Sequence, residues 1–470
     1  MKKGEIIKEI LIDSMAAEGK CVARFNGLVV FVTGGAPGDV VNIEVTKIKS
    51  HFLEGKVSSF VSLSTSRSVP FCNHFRTCGG CTWQHIDYAT QLTYKQQQVS
   101  DALERIGGLT IPPVKPTRPS QRTQFYRNRL DFTFSANRWL TKEEMIAGKE
   151  FGEPALGFHI PKMFDKVFDV EQCYLQAEPS NAIRLHVKAL AVKNNIPFFD
   201  LRKQTGFLRT LTVRTSSEKE TMVILQVAQH KPEWLELILD SLHATFPITS
   251  LNYVVNEKRN DTFFDLNVKC YKGQPYISES MPAANGSVEK IFFRVGPKSF
   301  YQTNSEQAHE LYKIALQMAD LKGDELVYDL YTGTGTIANF VASKAKRVIG
   351  LENVAPAIED AKANAKLNGI TNTEFFAGDI KDLLNDQFLQ QHGRPDVVIT
   401  DPPRAGMHED VCKMLLQARP EKIVYVSCNP ATQARDLAIL SSSYSVVDVQ
   451  PVDMFPHTMH VENVVKLERR

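Results

Sequence analysis

Ser427-Cys428-Asn429-Pro430 sets a thiol at the end of an apolar run, Lys422 to Ser427, and Asp401-Pro402-Pro403-Arg404 ends a second such run. The prolines stiffen a loop that cannot continue a sheet ladder. Glu462, in His460-Val461-Glu462-Asn463, lies near the start of the last strand-like segment. A thiolate can add to an electrophilic carbon, and a nearby carboxylate can take a proton from the adjoining carbon. Singly, these residues argue for little: a lone cysteine at a strand end is usually a small buried apolar group, and a lone glutamate is a solvated charge. Beside Asp-Pro-Pro-Arg and Asn-Pro they suit covalent chemistry on a planar nitrogen heterocycle. His457 and His460 read as structural or surface histidines.

A pyrimidine is such a heterocycle. Carbon 5 of a uracil is a poor nucleophile, and a thiolate on carbon 6 converts the ring into an enolate whose carbon 5 can attack a sulfonium methyl. A base must then remove the carbon 5 proton before the thiol is expelled.

A donor site is readable nearby. Asp329-Leu330-Tyr331-Thr332-Gly333-Thr334-Gly335-Thr336 follows one strand-like run and opens a helix, the next run ends in Glu352, and a third ends in Gly378-Asp379. Glycines let the backbone turn tightly, Glu352 can accept from ribose hydroxyls, and Asp379 suits an adenine edge. The loop lacks the lysine of a phosphate-binding loop and the full dinucleotide glycine pattern, so a nucleoside cofactor fits better than nucleotide phosphates.

Cys72, Cys78 and Cys81 are spaced C-x5-C-G-G-C, and Cys173 follows far downstream. Three thiols within ten residues suit an iron–sulfur cluster or a zinc ion, and the distant fourth favours iron–sulfur, because a zinc ribbon shows two short pairs. Cys21, Cys270 and Cys412 remain as ordinary cysteines. Arg122, Phe125, Tyr126, Arg127, Arg129, Phe132 and Arg138 interleave cations with rings; on a strand such a run can face phosphates and flipped-out bases, or it can be core aromatics and solvated arginines.

These residues need elements to position them. At 470 residues, 43% hydrophobic and 23% charged, the chain predicts a soluble protein of several domains. No run approaches the roughly 18 apolar residues of a membrane span, and Met1 to Ile6 has no secretory core. The expected location is the cytoplasm, where eight cysteines serve as ligands or catalysts rather than disulfides. The net charge of +2 neither demands nor excludes nucleic acid. Short β-rich runs over the first ~60 residues (5–12, 28–32, 40–45, 55–60) predict a small antiparallel barrel. Residues 87–105 predict a helix, and 124–270 a mostly stranded α+β unit with one helix near 182–193. From residue 325 strand and helix alternate, which predicts a mostly parallel, doubly wound sheet with its ligands at the carboxyl ends of the strands.

Over almost its whole length the chain resembles the RNA uracil-5-methyltransferase family, and its cysteine spacing resembles the iron–sulfur subgroup acting on 23S ribosomal RNA, which carries an N-terminal TRAM barrel. The resemblance implies an α/β fold: a TRAM/OB-like β-barrel over 1–61, a central α+β iron–sulfur domain over 62–284 whose helix near 87–107 packs on the catalytic domain, and a Rossmann-like class I methyltransferase domain over 285–470. It implies S-adenosylmethionine at Gln302, Tyr331, Thr336, Glu352, Asp379 and Asp401, Cys428 as nucleophile and Glu462 as base. A 4Fe-4S cluster is implied at Cys72, Cys78, Cys81 and Cys173. Thr332 departs from the pattern, since many members have a cysteine there. The implied partner is 23S ribosomal RNA, with a monomer and no obligate protein partner or membrane; the alternatives are the same chemistry on transfer RNA, or a non-catalytic RNA-binding factor.

Overall fold

Residues Val40–Ile48 alternate along the chain, with Val41, Ile43 and Val45 buried, as a strand with one face on a core requires. In the computed structural model, which describes residues 1–16, 19–148, 152–161, 163–284 and 289–470, they form β4 of a closed barrel. Its other strands are β1 (Ile6–Met15), β2 (Cys21–Phe25), β3 (Leu28–Thr33) and β5 (Phe52–Ser62), in the order β1-β2-β3-β5-β4. Two expectations are corrected. The strand reading passes over β2, and the barrel is not wholly antiparallel, because β3 and β5 run parallel. Gly55 permits the close crossing of β5 and β4: a Cβ there would lie 2.3 Å from Ile43 Cγ2 and 3.0 Å from the Glu44 carbonyl.

Asp87 caps α1 (Tyr88–Asp101) by accepting from the Thr90 amide at 2.9 Å. The helix continues as a π-wound turn over Ala102–Ile106. Val99 and Leu103 are buried in the core of the catalytic unit with Leu437 and Leu440. The proline-punctuated segment that follows runs beside the strand at 444–452, with the Lys115 and Arg118 amides donating to Val449 and Pro451; it covers an edge that would otherwise offer unpaired backbone.

The central unit holds β6 (Arg129–Ser135), α2 (Lys142–Ile146), β7 (Ala155–His159), β8 (Val167–Asp169), α3 (Ser180–Lys193), β9 (Leu208–Thr215), β10 (Thr221–Val227), α4 (Pro232–Thr245), β11 (Ser250–Val255) and β12 (Lys269–Gly273). Its sheet has the order β12-β11-β10-β9-β6-β7-β8. Every residue of β10 is buried, hence its continuous apolar run. The expectation of a single clear helix is corrected by α4, where Pro232 occupies the first turn and Leu235, Ile238, Leu239 and Leu242 form the buried stripe.

A hairpin of β13 (Ile277–Pro282) and β14 (Lys290–Val295) leads into the last unit. The free edge of β14 is capped by the helix at 355–367, whose Asn368 and Asn364 side chains accept from the Phe292 and Arg294 amides, both at 2.8 Å. The unit continues through α5 (Ser305–Ala319), β15 (Leu326–Leu330), α6 (Thr336–Val341), β16 (Arg347–Glu352), α7 (Ala355–Leu367), β17 (Thr373–Ala377), α8 (Ile380–Leu383) and α9 (Asp386–His392). It ends with β18 (Val397–Thr400), α10 (Glu409–Ala418), β19 (Lys422–Ser427), α11 (Pro430–Leu440), β20 (Tyr444–Val452) and β21 (Glu462–Arg469). The sheet order is β17-β16-β15-β18-β19-β21-β20. β15 to β19 are parallel, and β21 is antiparallel between β19 and β20. The strand order reverses beside β15, where such sheets open a crevice at their carboxyl ends. No helix among the described residues is long and apolar enough to cross a membrane.

Candidate active site

The register of β19 against β21 pairs Lys422 with Glu468 and Ser427 with Asn463. Cys428 and Glu462 are the next residues outward, so they meet at the mouth of the crevice. Asn429 caps α11 by accepting from the Ala431 amide at 3.2 Å. Its Nδ2 donates to the Arg404 carbonyl at 3.1 Å, as does Thr432 Oγ1. The loop carrying Cys428 is thereby tied to the loop carrying Asp401 and Arg404.

Charge couples these side chains. Glu462 is buried, and that burial, with the nearby Asp401 carboxylate, pushes its carboxyl up to about 8 while Arg404 opposes. Burial raises Asp401 to about 7. Burial, then Glu462 and Asp401, push the Cys428 thiol up to about 11, and Arg404 pulls it down. The site therefore rests with a neutral thiol, and carboxyl groups that exchange protons near neutrality.

At the neighbouring strand ends the glycine loop is tightly wired. Tyr331 takes φ 63°, Thr332 Oγ1 donates to Asp329 Oδ2 at 2.5 Å, and the Ala338 amide donates to the same oxygen at 3.0 Å. Gly335, at φ 75°, has no room for a side chain, because a Cβ would lie 2.9 Å from that of Ala361. Glu352 accepts from the Gly333 amide at 3.1 Å and the Val354 amide at 2.9 Å, leaving carboxylate lone pairs for further donors. Asp379 caps α8 with a half-exposed carboxylate paired to Lys381 at 3.3 Å. Gln302 is buried, and its carbonyl accepts from Asn128 Nδ2 at 2.9 Å.

Tyr331, Glu352, Asp379 and Asp401 thus lie at the carboxyl ends of β15 to β18, Thr336 opens α6, and Gln302 precedes α5. Sequence reasoning missed three neighbours. Buried Asp329 is pushed up to about 7 by burial, with Asp401 and Glu352 adding to it. Tyr312 of α5 lies 3.4 Å from Thr336 Oγ1 and is raised by burial and by Asp401, Asp329 and Glu462. Asn128 holds the Gln302 segment from the central unit. Asp329 was legible as the first residue of the glycine motif, whereas Tyr312 and Asn128 carry no local signal.

Cys72, Cys78, Cys81 and Cys173 line one cavity of about 180 Å³ with Phe71, Leu130, Phe158 and Val170. None forms a disulfide. Burial pushes Cys81 up to about 12 and Cys173 up to about 11, and the other thiols add to both. Among the described residues no three His, Cys, Asp or Glu side chains are arranged as a metal site.

The expected strand of cations and rings from Arg122 to Arg138 is not found as such. Arg122, Phe125, Tyr126 and Arg127 precede β6, and Tyr126 and Phe132 are buried. Arg122 pairs with Glu306, Arg129 with Asp131, and Arg138 with Glu144 and Glu153. Carboxylates take up Arg122, Arg129 and Arg138, while the Arg127 guanidinium lies over the Phe455 ring at 5.4 Å.

The chain is similar to known proteins over its length. The chain is 54% identical to an uncharacterized RNA methyltransferase of Bacteroides thetaiotaomicron, over 97% of this chain and 100% of that protein. The tRNA (Uracil-5-)-methyltransferase family matches residues 267–470. The chain belongs to the RNA uracil-5-methyltransferase family. The TRAM domain matches residues 3–58 of this family member, the barrel strands. A second relative, an uncharacterized RNA methyltransferase of Chlorobaculum tepidum, is 37% identical over 100% of this chain and 97% of its own. Among solved structures, the Pyrococcus abyssi tRNA (uracil-54, C5)-methyltransferase, in complex with S-adenosyl-L-homocysteine, aligns with a TM-score of 0.73 at 27% identity, covering 97% of this chain and 99% of that one. The RNA methyltransferase fold is thus common to the whole length of both.

Proposed function

We propose that this RNA methyltransferase modifies carbon 5 of a uridine in 23S ribosomal RNA, with Cys428 as nucleophile and Glu462 as base. The observation that carries this reading is the β19–β21 register, which sets a thiol against a buried carboxyl raised to about 8. S-adenosylmethionine supplies the methyl group, and Gln302, Tyr331, Thr336, Glu352, Asp379 and Asp401 would hold it. The fit is chemical: Glu352 has lone pairs left for ribose hydroxyls, and the half-exposed Asp379 can meet an adenine edge.

The sulfur of Cys428 adds to carbon 6 of the flipped-out uracil, and carbon 5 becomes the nucleophile. Arg404, beside the thiol, favours the thiolate that this addition needs. Once carbon 5 carries its methyl group, the Glu462 carboxylate takes the carbon 5 proton, the ring double bond re-forms, and the Cys428 sulfur leaves. A carboxyl poised near 8 suits that proton transfer at physiological pH.

A 4Fe-4S cluster at Cys72, Cys78, Cys81 and Cys173 belongs to the same proposal. Four unbridged thiols around one apolar-walled cavity fit a cubane, which holds its ligands farther apart than one tetrahedral ion does. Bound there, it would cross-link the 72–81 loop to Cys173. Protein purified without oxygen is expected to be brown, with iron near four per chain; stoichiometric zinc would overturn this assignment.

The cysteine set and barrel favour ribosomal RNA, in the cytoplasm and as a monomer. Transfer RNA is the second reading, favoured by the Pyrococcus abyssi structure. Mapping 5-methyluridine in cells lacking this protein decides between them. Loss of a site in 23S RNA with transfer RNA intact is the expected result, and the converse replaces the substrate.

A further inference from the structure

Between β20 and β21 the chain runs through a connection, residues 453–461, that ends at Glu462. Its grip comes mainly from outside the catalytic unit. On α1, Tyr88, Gln91 and Lys95 lie at spacings of three and four, one face of a helix. Buried Gln91 receives the His457 amide on Oε1 at 3.0 Å. Its Nε2 stands 3.1 Å from His457 Nδ1, 3.1 Å from the Trp83 carbonyl and 2.8 Å from that of Ile86. Lys95 Nζ, fully buried, donates to Asp453 at 2.5 Å and to the Phe455 carbonyl at 3.1 Å, and Tyr88 Oη donates to Asp453 at 2.8 Å.

The chain just past Cys81 completes the clamp. The Thr82 and Trp83 amides donate to the His457 carbonyl at 2.9 and 3.0 Å, and Thr82 Oγ1 accepts from Met459 at 3.1 Å. From the catalytic unit, Asn304 Nδ2 reaches the Met454 carbonyl at 3.0 Å. Cys428 is held by β19, the α11 cap and the Arg404 carbonyl, so past the last shared rung, Ser427 with Asn463, the two reacting residues have different supports.

We propose that Gln91 is a positioning residue for the proton-removal step: it fixes the 453–461 connection and, through it, the Glu462 carboxylate. Glu462 is the first residue of β21, paired with Val452 of β20 but one step past the end of the β19 ladder, so the direction of the preceding chain helps to set its aim. The inference rests on Glu462 being the base. It makes the segment that precedes the cysteine-rich region's helix, and the helix itself, part of the catalytic apparatus without touching substrate.

The test is step-resolved kinetics on the full chain with a uridine-containing RNA and S-adenosylmethionine. Gln91→Met keeps the side-chain volume and removes the bridge. Release of methylated RNA is expected to slow on the order of tenfold, with covalent protein–RNA adduct building up on denaturing gels and adduct formation within about twofold of wild type. Tyr88→Phe should show a weaker effect in the same direction, and it serves if Gln91→Met does not fold. Gln97→Ala, on the exposed face of α1, should behave as wild type. Equal slowing of all steps in both variants reduces the clamp to a folding role and overturns the proposal, as does unchanged release. Glu462→Gln, run alongside, separates the premises: if it traps adduct while the Gln91 and Tyr88 variants do not, only the clamp fails; if it traps none, the base assignment fails first.

Discussion

Alanine in place of Cys428 is expected to abolish uridine methylation, a loss of about 10⁴-fold or more, because the proposed bond to carbon 6 then has no sulfur to form it. The change removes one sulfur from a half-buried position at the end of β19. The fold should hold to within about 1 kcal/mol, so thermal unfolding is expected to match wild type. Cofactor affinity should hold too, since the proposed binding residues stand on β15 to β18 and the segment before α5. Transfer of labelled methyl groups to RNA is the measurement, with the covalent protein–RNA adduct as a second readout that must vanish. Persistent methylation in this variant would falsify the nucleophile.

Glutamine at position 462 gives the opposite signature. Attack and methyl transfer proceed, and release slows by about 10²- to 10⁴-fold, the range for loss of a general base, so the methylated adduct accumulates. The substitution is nearly isosteric. Burial and the Asp401 carboxylate raise the Glu462 carboxyl, which favours the neutral form that glutamine resembles. The pH dependence follows in sign. The carboxylate is the active form, so wild-type release is expected to rise with pH through the neutral range and then level off, and in Glu462→Gln that rise disappears. A pH-independent wild-type release step, or no adduct under turnover, would remove Glu462 from its role.

Much of the candidate site was legible because its residues sit at strand ends. In an alternating α/β stretch the apolar runs mark the strands, and the residue at or just past the end of each run faces the crevice; the positions of Glu352, Asp379, Asp401 and Cys428 were readable this way. The position of Glu462 was readable too, although it starts an antiparallel strand, whose first residue lies at the same edge of the sheet. The four thiols were legible as a set, since loop cysteines that surround a shared cavity need no regular element between them. Residues that act through long-range packing stayed hidden. Asn128 reaches Gln302 across 174 positions of chain, and Gln91 reaches His457 across 366, separations that no local pattern encodes. The ion pairs of the arginines around β6 stayed hidden for a related reason: partners such as Glu306 for Arg122 come from a distant helix. In α4 the apolar stripe and N-terminal proline were present, but β-rich neighbours obscured them.

Because the Ser427–Asn463 rung stands one residue from both thiol and carboxyl, the spacing of their backbones does not depend on which RNA is presented. A slip of one rung would turn residue 462 to the opposite face of the sheet, so the interval admits no gradual drift. The barrel strands take no part in that ladder. Changes in the barrel can therefore alter which RNA is presented without moving the rung beside the thiol and carboxyl.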